Sequence, residues 1–195
     1  MKTFYAEDRT QWRTWLETNY QLEKEIYLVF YKKGTGKPTL SYDESVEEAL
    51  CFGWIDGVRK TLDEQSYTLR FTPRRLGSIW SLVNRNRCEK LIADGKMTEA
   101  GIKFIEDAKK TGQWDAAYSL KAETALPSDL QEALQAYPKA WEFFQKLSNS
   151  NKFTYVRHMD LKSPELRKAR IQKIVELCEA NIKPYVDGKP SVRNQ

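Results

Sequence analysis

Residues 66–71 place the strongest constraint on the fold. Tyr67, Leu69 and Phe71 alternate with Ser66, Thr68 and Arg70, so a strand here has one apolar and one polar face. Such a strand needs neighbours in a sheet and a layer to cover its apolar side. VRKTL, the turn DEQ and SYTLRFTPRR read as a hairpin, and residues 25–33 (EIYLVFYKK), rich in β-branched and aromatic side chains, read as a further strand ending at GTGKP.

The covering layer is helical. After Asp8, the residues Trp12, Trp15, Leu16 and Tyr20 recur at helical spacing. Ser41 followed by Glu44 is a capping-box pattern, opening a helix that carries Val46, Ala49 and Leu50 to about Phe52. Gly53 and Gly57 bracket Trp54, Ile55 and Asp56, which are expected as a turn. Beyond Ser78 the chain reads as helical, with Ser78, Thr98, Ser128 and Ser163 as expected N-caps, Gly95 and Gly112 as stops, and Pro164 in the first turn of the last helix. The expected fold is α+β and predominantly helical: a small antiparallel β-sheet packed by helices, with a helical C-terminal part. Residues 1–120 would form the α+β core, and residues 121–195 a helical region packed on it as one unit.

Composition excludes several classes. With 195 residues, 41% hydrophobic and 30% charged, six Trp and ten Tyr, the chain has the makings of a globular core and not of a disordered segment. Its longest apolar run, residues 26–31, is too short to span a bilayer, and MKTFYAEDRTQW holds no signal-peptide apolar region, so a cytoplasmic protein is expected. Three Cys and one His lie far apart without CxxC or HxxxH spacing, which argues against a metal site or a disulfide framework. No GxGxxG, GxxxxGK[ST], GxSxG or HExxH motif occurs, and no cofactor is expected.

The net charge of +5 is concentrated in one segment. Between Arg70 and Lys90 six cationic residues face a single acid, Glu89, and the rest of the chain balances. Arg70, Arg74 and Arg75 flank Pro73 just before the expected helix start at Ser78, where backbone amides and arginines together suit a phosphate or carboxylate; solvated loop arginines are the alternative. On the helix read from Ser78, Ser81, Asn84 and Arg87 share the side that holds Trp80, Val83, Cys88, Leu91 and Ile92. Arg87 on that side either pairs with an acid such as Asp56, Glu47 or Glu48, or faces an anionic ligand. Tyr67, Phe71 and Trp80 interleave with these arginines, as in single-stranded nucleic-acid binders, but Tyr67 and Phe71 lie on the apolar strand face, and core packing is the better reading.

Nucleophilic catalysis finds weak candidates. Cys51, between Leu50 and Phe52, reads as a small buried hydrophobe, and His158 as structural or surface-exposed. Asp56 is the best acid or base, with an Asx turn as its structural alternative.

The run SYDESVEEALCFGWIDGVRK, then YTLRFTPRRLGSIWS, NRNR and GKMTEAG, resembles the bacteriocin-protection family also called YdeI/OmpD-associated. The likeness extends to WRTWL at residues 12–16, to YKKGTGKPTLSY and to LPSDLQEAL. The tail departs from the pattern between His158 and Arg167. The resemblance implies a link to envelope stress or antimicrobial-peptide resistance, for which some descriptions place members in the periplasm, and it implies no particular reaction. Together these readings give a small anionic ligand held by Trp54, Asp56, Arg70, Arg74, Arg75, Ser78, Trp80, Ser81, Asn84 and Arg87. The alternatives are an enzyme working through Asp56, a protein-interaction scaffold and, less favoured, a nucleic-acid binder.

Overall fold

The computed structural model describes residues 1–119, 125–159, 163–186 and 189–190. The chain divides into two compact units, Met1–Tyr118 and Ser119–Gln195, each with its own apolar core.

The first unit is built on a four-stranded sheet in the order β1-β2-β4-β3, made of β1 (Thr3–Tyr5), β2 (Ile26–Tyr31), β3 (Trp54–Thr61) and β4 (Ser66–Pro73). The apolar half of the alternation at residues 66–71 acts as expected, since Phe71 pairs with Ile26 and Leu69 with Leu28 and these four side chains enter the core, but Ser66 and Thr68 on the polar side are each 1% exposed, so that face is covered too. The sheet is mixed, because β1 runs parallel to β2 at one edge. Sequence reading placed no strand at β1, which is three residues long and leaves too little pattern to read.

Helices α1 (Arg9–Asn19), α2 (Tyr42–Cys51), α3 (Leu82–Ala93) and α4 (Glu99–Lys110) complete this unit, and α2 touches α1, β3, α3 and α4. Asp8 caps α1 by accepting from the Gln11 amide at 2.9 Å, and Trp12 and Leu16 are buried below it. The capping box at Ser41 and Glu44 forms in both directions. At the end of α2, Gly53 adopts φ +72, a left-handed conformation suited to glycine. The chain therefore leaves the helix straight into β3, and Trp54, Ile55 and Asp56 are strand residues paired with Pro73, Thr72 and Phe71, not a turn. Gly57 lies within the register shift between Asp56 and Arg59. A second glycine, Gly101, permits close approach of α4 to α2, since a Cβ there would come within 2.5 Å of the Cys51 carbonyl oxygen.

One helix start in this unit differs from expectation, and one expected cap residue makes no cap bond. The α3 helix begins at Leu82 with Ser81 as its cap, because the backbone of residues 80–82 is engaged by Tyr118: the Tyr118 amide donates to Trp80 and the Leu82 amide donates to Tyr118. Ser78 closes a turn instead, its hydroxyl donating to the Arg75 carbonyl at 2.6 Å. Cys88 and Leu91 face the core, while Val83 and Ile92, expected on the same side, are exposed. Thr98 precedes α4 as expected, but its hydroxyl donates to the Cys51 carbonyl and does not cap the helix. Gly95 and Gly112 follow the ends of α3 and α4 as expected.

The second unit contains α5 (Ser128–Gln135), α6 (Pro138–Lys146), α7 (Asn149–Arg157), α8 (Pro164–Glu179) and a short pair of strands, β5 (Tyr185–Val186) and β6 (Lys189–Pro190). Pro127, not Ser128, is the residue before α5, whereas Ser163 caps α8 by accepting from the Leu166 amide. Leu130, Leu134, Phe144, Tyr155, Met159 and Ile174 form its core. Arg167 grips Asp129 from two nitrogens and also donates to the Met159 carbonyl. This pairing holds the Asp129 carboxyl below its ordinary range. Among the described residues no helix is long and apolar enough to cross a membrane.

Candidate functional site

Of the arginines in the cationic segment, Arg74 is the one the fold buries. It directly follows β4, its backbone amide donates to the Gly53 carbonyl at 2.8 Å, and it is 8% exposed. Its guanidinium lies 3.8 Å from the centre of the Trp80 ring, and Nη2 donates to the Ile79 carbonyl at 3.0 Å. Among the described residues no carboxylate lies within ion-pair distance of it. Burial pulls its pKa below the ordinary guanidinium value, against smaller opposing effects of Cys88, Tyr118 and Asp56.

Arg87 stands on the inner side of α3, as its position between Asn84 and Leu91 implied. Its side chain is 17% exposed, and it donates to Asn84 Oδ1 at 2.9 Å and to Asp43. The expected acids are absent from this pairing for a clear reason. Glu47 and Glu48 are taken by Arg9 and Arg13, with Arg13 Nη1 at 2.7 Å from Glu48, and Asp56 accepts from the Tyr42 hydroxyl at 3.0 Å. Tyr42 is 46% exposed as a residue, but desolvation and then Asp56 push its hydroxyl up to about 12. The Arg87 guanidinium lies 5.9 Å from the Tyr42 ring centre.

A polar cluster results, drawn from the first turn of α2 (Tyr42, Asp43), the start of β3 (Asp56) and the inner side of α3 (Asn84, Arg87); Arg74, just past β4, feels only the longer-range charge of Asp56. Sequence reading named Asp56, Arg74, Asn84 and Arg87 but missed Tyr42 and Asp43. Their signal was present in the SYDE box, which was read only as a cap.

Other expected site residues serve the fold. Trp80 is 3% exposed between Arg74 and Trp114, whose ring meets it edge-on at 5.0 Å, so no face is left for a ligand. Trp54 is buried against Trp15, and its Nε1 donates to the Tyr20 carbonyl at 3.1 Å. Arg70 pairs with Glu25 at 2.7 Å, Arg75 is exposed, and Ser78 and Ser81 hold the turn and the cap. Phe71 is fully buried, and Tyr67 stacks on Phe30 at 5.1 Å with Arg59 over its ring at 3.6 Å, so neither ring is an open platform for bases.

The cysteines are inert by position. Burial pushes Cys51 up to about 11 and Cys88 and Cys178 up to about 12, far from the thiolate range a nucleophile needs. His158 ends α7 with Nδ1 2.7 Å from the Thr154 carbonyl. Among the described residues no group of His, Cys, Asp and Glu is arranged to hold a metal ion.

A separate cleft of about 420 Å³ opens beside Gly53, lined by Tyr20, Phe52, Trp54, Pro73 and residues of α4.

Residues 4–104, more than half of the chain and the whole of the cluster, match the model of a domain of unknown function (DUF8412), and the chain belongs to that family. Residues 123–181 match the family described as bacteriocin-protection, YdeI or OmpD-associated, the one the sequence resembles. That match lies on the tail, whereas the CFGWIDG and RFTPRR block, the main carrier of the resemblance, falls in the first match. Comparison with curated proteins and with solved structures finds no match.

Proposed function

We propose that the N-terminal unit binds a small anion, with Arg74 as the principal cation, Arg87 and Asn84 orienting the ligand, and Asp56 with Tyr42 accepting or donating to a ligand hydroxyl. The observation that carries this reading is Arg74: a guanidinium 8% exposed, stacked on an indole and without a carboxylate partner among the described residues. Burying a charge without a counter-charge is strongly unfavourable, and a bound phosphate or carboxylate would supply that counter-charge through the planar fork of the guanidinium. Asp43 on Arg87 is the exposed member of its pair, with 71% of its side chain accessible, so a ligand could take its place at small expense. The biological setting that the family description suggests is protection against bacteriocins, and ligand binding by this unit would be part of that role.

A thermal-shift screen of inorganic phosphate, phosphorylated metabolites, nucleotides and carboxylates tests the reading on wild type and Arg74→Met, which keeps the packing of the stem on Trp80. A ligand at about a hundred times its dissociation constant stabilises the wild type by about 2.7 kcal/mol and leaves the variant unmoved. A screen in which nothing stabilises the wild type, or in which the variant responds equally, removes the proposal.

A further inference from the structure

The cleft beside Gly53 is walled by rings. At about 420 Å³ it is near the lower end of the ~300–1,000 Å³ range of small-molecule pockets, which suits a small ligand. Tyr20 and Phe52 face each other at 5.5 Å and 50°. Phe52 and Trp54, 4% and 1% exposed, back the cleft from behind, so the rings with surface open to a ligand are those of Tyr20 and Phe104. Phe104 closes over Gly53 so tightly that a Cβ on residue 53 would stand 2.5 Å from its ring, so only glycine leaves the ring in place. Glu99 and Lys103 stand one helical turn apart on α4 at the rim. Side chains at this spacing have Cβ atoms about 5–6 Å apart. Both are exposed, and among the described residues neither is paired with another charged side chain.

A rim with one carboxylate and one ammonium over an aromatic floor selects a ligand carrying both charges next to a ring. We infer that this cleft binds a small aromatic zwitterion of the kind of a free aromatic amino acid, its ring against Tyr20 and Phe104, its ammonium on Glu99 and its carboxylate on Lys103. Opposed rings favour offset or edge-on aromatic contacts, and the two rim charges discriminate against ligands with only one. The inference is independent of the anion reading at Arg74.

Titration calorimetry on the full chain tests it with L-phenylalanine, with phenethylamine, which lacks the carboxylate, and with 3-phenylpropionate, which lacks the ammonium. L-Phenylalanine binds, and each single-charge analogue binds about fivefold more weakly, as befits solvent-exposed charge pairs. Lys103→Ala, a surface change, weakens L-phenylalanine about fivefold and leaves phenethylamine unaltered. Ala100→Leu fills the cleft from a helical position and abolishes binding while the circular dichroism stays that of the wild type. No heat with L-phenylalanine up to about 10 mM, equal affinity for the three probes, or undiminished binding by the Ala100→Leu chain overturns the inference.

Discussion

Glu48 and Arg74 are both more than nine-tenths buried, yet opposite charges enclose the first and an indole ring covers the second. Glu48 accepts from Arg9 and Arg13, which come from adjacent turns of α1 and join that helix to α2. Burial lowers the pKa of both arginines, but the hydrogen bonds and charge of Glu48 outweigh it and hold them above their ordinary value. At Arg74 nothing comparable opposes burial, and the shift runs the other way. The same physics thus separates a charge used within the fold from one left for something outside it. The Glu48 carboxylate has two counter-charges, although Nη2 of Arg9 is itself buried without an acceptor, whereas the Arg74 guanidinium has one carbonyl acceptor and, among the described residues, no counter-charge.

Breaking the satisfied charge should give the largest effect. Glu48→Gln leaves Arg9 and Arg13 facing a neutral amide, and chemical denaturation should show a loss of about 3 kcal/mol, at the low end of the range for buried pairs because both arginines keep some access to water. An unchanged denaturation midpoint would mean that the cluster contributes nothing. Arg74→Met tests the other side. The loss of stacking on Trp80 offsets the relief of a desolvated charge, so ligand-free stability should stay within about 1 kcal/mol of wild type. A loss approaching that of Glu48→Gln would show that Arg74 is as structural as Glu48, and the contrast would disappear. The smallest change is expected at the rim, where Asp43→Asn removes the exposed partner of Arg87 and should alter stability by no more than about 0.5 kcal/mol. Its value lies in ligand affinity, which should rise slightly as competition for Arg87 falls.

Local chemistry made much of this fold legible. Asp8, Ser41 and Ser163 declare their helices because a cap is a contact between near neighbours in sequence. The alternation in β4 likewise declares which side chains enter the core. Errors arose where a distant residue decided the outcome: Tyr118 delays the start of α3 by engaging the backbone at Trp80 and Leu82, and the Cys51 carbonyl diverts the Thr98 hydroxyl from its helix.

The candidate cluster shows the same division. The sequence placed a cationic segment next to a strand end and put Asn84 and Arg87 on the inner side of one helix, since helical periodicity needs no partner. It determined the residues that carry charge, and with them the kind of ligand worth seeking. The choice among six cations was tertiary. Pairing of Trp54 with Pro73 brings Arg74 against Gly53 and Trp80, Glu25 neutralises Arg70, and solvent keeps Arg75. Burial and pairing depend on what long-range packing brings within a few ångströms, so only the folded chain distinguishes the one desolvated guanidinium from its neighbours.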